Sequence, residues 1–162
     1  MAQARPIPGL GPDMPMREAA ALTVQTRTSE VFAFAAGVLD TADIERVHDM
    51  RVATRRLRAA LEVFRPCFPK PEFKAALRDV KELADALGAR RDPDVALAAV
   101  EGIMAHLPPQ ARPGVDAFED DLRIEQVTGN ATLEHALSHA TETQLEARLL
   151  ELAALARSPL PG

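Results

Sequence analysis

Residues 47–64 read VHDMRVATRRLRAALEVF, and two stripes run through them. Val47, Met50, Thr54, Leu57, Leu61 and Phe64 recur at alternating spacings of three and four, the period of a helix with one face in a core. His48, Arg51, Arg55 and Arg58 recur at the same spacings on a neighbouring stripe, because each residue turns a helix by roughly 100°. The four basic groups therefore line one side of the helix, about one turn apart. Like charges three or four residues apart cost a few tenths of a kcal/mol per pair. A solvated face would intersperse glutamate, and here only Glu62 continues the stripe. Such a ladder asks for an anion against it. Arg56 points away from the stripe, toward a salt bridge or the rim.

Working outward, the chain has 162 residues, enough for one domain with a real core. Apolar residues make up 47%, but the aromatics are six Phe, with no Trp or Tyr. The core must be aliphatic, built from Leu, Ala and Val, which favours helices. A Pro-rich lead, 1–15, precedes a first helix over 16–39. Asp40-Thr41-Ala42-Asp43 supplies cap-type residues for a second helix over 43–65. Pro66, Pro69 and Pro71 make a loop. A third helix follows over 71–87, stopped by Gly88. Pro93 opens a fourth, to His106. Helical pattern resumes from Gly114 to His139, with Gly129-Asn130 as a point where it kinks or splits. Thr141 or Thr143 caps a last helix to Arg157. No strand-like alternation with hairpin turns occurs. The expectation is an all-α, antiparallel helix bundle of about five to six helices over residues 16–158.

The third helix repeats the two-stripe design. Phe73, Leu77, Val80, Ala84 and Leu87 form its apolar face, and Lys74, Arg78 and Lys81 run alongside until Asp85 ends the run. Packed antiparallel, the second and third helices would turn both basic stripes into one groove. Residues 46–91 hold 12 Lys/Arg against six Asp/Glu, a balance of +6, while the remainder holds 7 against 18, or −11. A cationic island in an acidic chain points to a localised polyanion or phosphate partner. Arg meets phosphate through a planar fork and Lys as a point charge. With no aromatic platforms between the basic groups, a phosphate chain suits them better than nucleic-acid bases.

Two blocks carry a resemblance. VHDMRVATRRLRAALEVFRP (47–66) and LRDVKELADALGARRDPDV (77–95) resemble the CHAD family, the conserved-histidine α-helical domain. The resemblance implies helix bundles with a basic central surface that binds inorganic polyphosphate. Its motif positions fall here on His48, Arg51, Arg55, Arg56 and Arg58, and then on Arg78, Lys81, Arg91 and Asp92. Lys74 joins them from the helical-face argument. Members of the family are about twice as long, with two related halves, and nothing after residue 100 repeats the first motif. The chain thus resembles an N-terminal half, and a two-fold homodimer would rebuild the missing side of the groove.

Rival readings stay open at this level. His48 could accept a phosphoryl group, as in histidine phosphotransfer bundles, although such sites need one basic neighbour rather than a ladder. The bundle could also be a structural or interaction module whose arginines pair with acidic helices. His135 and His139 stand four apart but lack the Glu of a HExxH motif and a third ligand, so no metal or other cofactor is expected. Asp92 and Asp94 read as caps of the fourth helix. DAFEDD (116–121) reads as a solvated face, and Cys67 as a small buried residue or loop hydrophobe. No nucleophile–base–orienter set is evident, so a non-enzymatic binder is expected. Without a leader-like or membrane-length apolar run, and with one cysteine, it is expected in the cytoplasm, with polyphosphate granules as a possible site of residence. The partner expected is inorganic polyphosphate, not a specific nucleic acid or a membrane.

Overall fold

The structure, a computed structural model, describes residues 3–158. Five α-helices run through them: α1 (Met16–Ala33), α2 (Ile44–Val63), α3 (Lys70–Met104), α4 (Arg112–Glu142) and α5 (Leu145–Leu155), with short 3-10 turns at Arg65–Cys67 and Pro109–Ala111. No strand occurs among the described residues. The chain is an all-helical bundle, as its apolar periodicity requires. Residues 1 and 2 of the Pro-rich lead lie outside the described residues; in the rest of it the Arg5 amide donates to Glu30 on α1, and Arg27 Nη2 donates to the Arg5 carbonyl at 2.9 Å.

Local chemistry explains the ends. α1 stops at Ala33, short of Leu39, and the chain turns through Gly37 at φ 78°. A side chain there would be strained and would also meet Arg46, whose Nη1 donates to the Ala36 carbonyl at 2.9 Å. Asp43 caps α2, its carboxylate accepting from the Arg46 amide at 3.3 Å. On α2 the apolar stripe is buried from Val47 to Leu61, and the Thr54 hydroxyl is satisfied by the Met50 carbonyl at 2.8 Å. Leu57, Leu61, Leu87, Leu133, Leu145, Leu149 and Leu152, each at most 1% exposed, make the centre of the core. Each contributes about 1.5–3 kcal/mol by leaving water.

α5 closes the bundle against α1. Arg17 donates to the carbonyls of Ala156 and Ser158 at 3.2 and 3.0 Å, capping the end of α5. Arg157 grips Glu18 with two hydrogen bonds, at 2.9 and 3.1 Å, and holds that carboxyl below its ordinary range. The threonines expected to cap α5 instead donate backward within α4, Thr141 to Leu137 and Thr143 to His139. The turn into α5 is made by Gln144 in the left-handed region, at φ 52°.

The main departure from the sequence reading is α3. Gly88 and Pro93 do not end a helix; α3 runs unbroken for 35 residues, joining the expected third and fourth helices. Its last third leaves the bundle and pairs with the start of α4 around a second small core of Leu97, Val100 and Leu122. That partner is what keeps the helix going: packing outweighs the roughly 3 kcal/mol propensity penalty of proline. Pro93 has no N–H to give to the Ala89 carbonyl. That same oxygen is what α4 meets, since a Cβ on Gly129 would lie 2.6 Å from it. Gly129 therefore does not split α4; it lets α4 cross α3 at contact distance.

The crossing carries a buried polar knot. Arg90 and Asp94, 0% and 1% exposed, pair directly. Arg90 Nε donates to Asn130 at 3.1 Å, Asn130 donates to the Leu39 carbonyl at 3.1 Å, and Gln126 donates to Asp94 at 2.7 Å. Asp94 is thus not a cap, and Asp92 lies inside α3 rather than before a fourth helix.

Candidate functional site

α2 and α3 are antiparallel neighbours with a short link between them, so their outward stripes flank one surface. Between them lies an open concavity of about 410 Å³. α2 lines it with Arg51, Arg55, Arg58, Ala59 and Glu62, and α3 with Ala84 and Asp85. The arginine ladder read from the sequence is therefore gathered in one place, over about 10 Å of helix axis. Ala59 and Ala84 leave room between the helices where larger side chains would close it.

The three arginines are not equivalent. Arg58 Nε is paired with Glu62 Oε1 at 3.0 Å, both side chains nearly half exposed. Arg51 and Arg55 are exposed and make no hydrogen bond or ion pair among the described residues. Their guanidinium donors are open to an incoming acceptor.

The α3 stripe is arranged differently from the sequence expectation. Lys74, Arg78 and Lys81 do not line the concavity; Asp85, the residue that ends their run, does. Arg78 leans on its own helix, 2.9 Å from Asp79 and 3.9 Å from Glu82. Asp79, buried, takes a second cation from α5, Arg148 at 2.7 Å. Lys74 and Lys81 carry no hydrogen bond or ion pair among the described residues. His48, at the head of the ladder, is half-buried and outside the lining, as is Arg56. Arg91 is half-buried on α3, and its Nε is buried without a hydrogen-bond partner among the described residues.

Sequence reasoning missed the Arg90–Asp94 pair: it placed Arg91 and Asp92 among the motif positions and read Asp94 as a cap. The signal was present as an Arg–Asp spacing of four on one helix. His135 and His139 do face a common space, but no group of three or more His, Cys, Asp or Glu among the described residues is placed to hold a metal ion. Cys67 is free and buried. No helix among the described residues is long and apolar enough to cross a membrane.

Comparison with curated protein sequences gave no match. Among solved structures, the chain is similar to the crystal structure of the CHAD domain from the plant Ricinus communis, with a TM-score of 0.72 and 26% sequence identity. That match covers 100% of this chain and 53% of the plant chain, so this chain spans about half its length. The sequence profile of the CHAD domain matches residues 23–162, most of the chain. Helix order, the two-stripe α2 and the profile match agree: the chain belongs to the CHAD domain family, a family associated with polyphosphate binding.

Proposed function

We propose that this protein binds inorganic polyphosphate in the concavity between α2 and α3, without catalysing a reaction. The observation that carries the reading is the trio Arg51, Arg55 and Arg58 lining one concavity, two of them without a hydrogen-bond or ion-pair partner among the described residues. Their rise along the helix, about 4.5–6 Å between successive groups, presents donors at intervals to a ligand whose negative charge repeats along its length. Binding releases counterions condensed on such a chain, which supplies affinity without sequence readout. Arg58 exchanges Glu62 for phosphate oxygens, and Arg51 and Arg55 engage without breaking anything. Lys81, Lys74, Arg78, Arg56, His48 and Arg91 then act outside the lining, as field rather than contact. The carboxylates of Glu62 and Asp85 stand against any anion there and limit the net attraction.

A binder of this kind would act in the cytoplasm, where polyphosphate is the partner and neither a specific nucleic acid nor a membrane is required. Pairing of two copies would double the arginine surface available to one long chain. The test is titration calorimetry with long-chain polyphosphate and, separately, duplex DNA, at about 150 mM salt. Polyphosphate should bind at least tenfold tighter than DNA; no heat with polyphosphate, or equal affinity for DNA, refutes the reading.

A further inference from the structure

A second cavity, larger than the arginine concavity, is a trough of about 550 Å³ between α3 and α4. It exists because the two helices touch at Ala89 and Gly129 and diverge from there. Its floor is Leu83, Ala86, Ala136 and Ala140, small or apolar side chains that leave the gap unfilled. α3 contributes residues 79 to 89 and α4 residues 132 to 143, about three turns or 15 Å of length. The helix crossing bounds one end, and Leu145 of α5 stands at the other. A trough bounded at both ends takes a compact ligand rather than a long helix.

The polar groups on its walls are carboxylates, imidazoles and hydroxyls. Glu82 and Asp85 stand on α3, and His135 and His139 on α4, with the hydroxyls of Thr132 and Thr143 near its ends. No Lys or Arg among the described residues lines it. Asp79, at its deep end, is already neutralised by Arg148 and Arg78. Asp85, His135 and His139 have no side-chain hydrogen bond or ion pair among the described residues. Carboxylates only accept hydrogen bonds, while hydroxyls and imidazoles can accept or donate. An apolar floor beneath two carboxylates, Asp85 without a side-chain partner among the described residues and Glu82 only 3.9 Å from Arg78, selects a cationic donor head on an apolar body.

We propose that the α3–α4 trough is a second binding site, for an organic cation of amphiphilic build: a primary ammonium group on an alkyl chain. The chain lies on the alanine floor, and the ammonium is held by Asp85 and Glu82 with the imidazoles completing its hydrogen bonds. The site is chemically opposite to the arginine concavity, although Asp85 borders both.

The experiment is an NMR titration of the isotopically labelled full chain with octylamine, octanoate and octanol, three probes with one chain and different heads. Octylammonium should shift amides within residues 82–89 and 132–143 and bind at least tenfold tighter than octanoate. Glu82→Gln with Asp85→Asn should bring the two within threefold. Ala136→Leu, at a half-buried helical position, should weaken all three probes at least tenfold by filling the trough. Equal binding of octanoate to the unaltered protein, shifts elsewhere, or indifference to Ala136→Leu would overturn the proposal. So would a doubled mass in light scattering with those amides protected in the absence of probe, because a second copy would then occupy the trough.

Discussion

Replacing Arg51 and Arg55 together by alanine removes the two guanidinium groups of the concavity that have no partner among the described residues. The expected effect on binding follows from charge counting. For a flexible polyanion each contact contributes about −0.7 to the slope of log affinity against log salt. Arg51, Arg55 and Arg58 together give about −2.1, and Arg58 alone about −0.7, so the double variant should flatten the slope by about 1.4. Counting the lining arginines alone, between 50 and 200 mM salt the unaltered protein should lose affinity about 18-fold and the variant only about threefold, by the same relation. Groups outside the lining add the same amount to both proteins, which leaves the difference unaffected. Each lost charge-assisted hydrogen bond removes about 1.5–3 kcal/mol, so the loss of two should lower affinity at fixed salt about 140- to 20,000-fold. The fold should not notice: both residues are exposed, no ion pair is lost, alanine favours helix, and repulsion along the stripe is relieved. Stability should stay within about 0.5 kcal/mol. Calorimetric titration of polyphosphate at four salt concentrations, with circular dichroism as the control for folding, reads all of this. A slope change below about 0.5 with the helices intact would place the polyphosphate elsewhere.

Three further outcomes concern the scaffold. Gly129→Ala should cost about 1–3 kcal/mol in urea unfolding, because the added methyl meets the Ala89 carbonyl, which is backbone and cannot swing aside; an unchanged midpoint would mean that α4 does not cross so closely. Asp94→Ala should cost about 3–5 kcal/mol by leaving the Arg90 cation buried without its counter-charge. Since Arg90 Nη2 and Asp94 Oδ2 lack partners among the described residues, the paired change Arg90→Met with Asp94→Leu should recover most of that loss. Finally, Arg157 holds the Glu18 carboxyl below its ordinary range, chiefly by hydrogen bonding. The unfolded chain therefore takes up that proton first, and the contribution of the pair, complete above the ordinary glutamate pKa, is lost as pH falls through the lower native one. Glu18→Gln should remove that acid-side decline, read from thermal melts across the acid range.

Periodicity was a sound guide wherever one helix face met one core. The α2 stripe, the Asp43 cap and the all-helical class were legible because they depend on residues three and four apart. The basic ladder was legible for the same reason, which is why Arg51, Arg55 and Arg58 are found together. What local pattern does not encode is which helix supports which. Gly88 and Pro93 look like stops because propensity is local, whereas α3 is held through them by α4. On α3, the stripe from Lys74 to Lys81 has the right spacing for a groove wall, but rotation about the helix axis brings Ala84 and Asp85 to the wall instead. The Arg90–Asp94 knot escaped because a buried pair and a solvated pair have the same spacing in sequence.

The oxygen of Ala89 has a consequence for any attempt to improve this protein. By propensity alone, Pro93→Ala and Gly129→Ala are attractive, worth about 3 and 1 kcal/mol for an isolated helix. Here they are not separate opportunities. The first restores an N–H to an acceptor that α4 already abuts, and the second drives a methyl into the same atom. Repairing the helix does not clear the collision, so the two substitutions should not add. The crossing therefore depends on its glycine and not on its proline: a variant that keeps the crossing must keep Gly129, whatever becomes of Pro93.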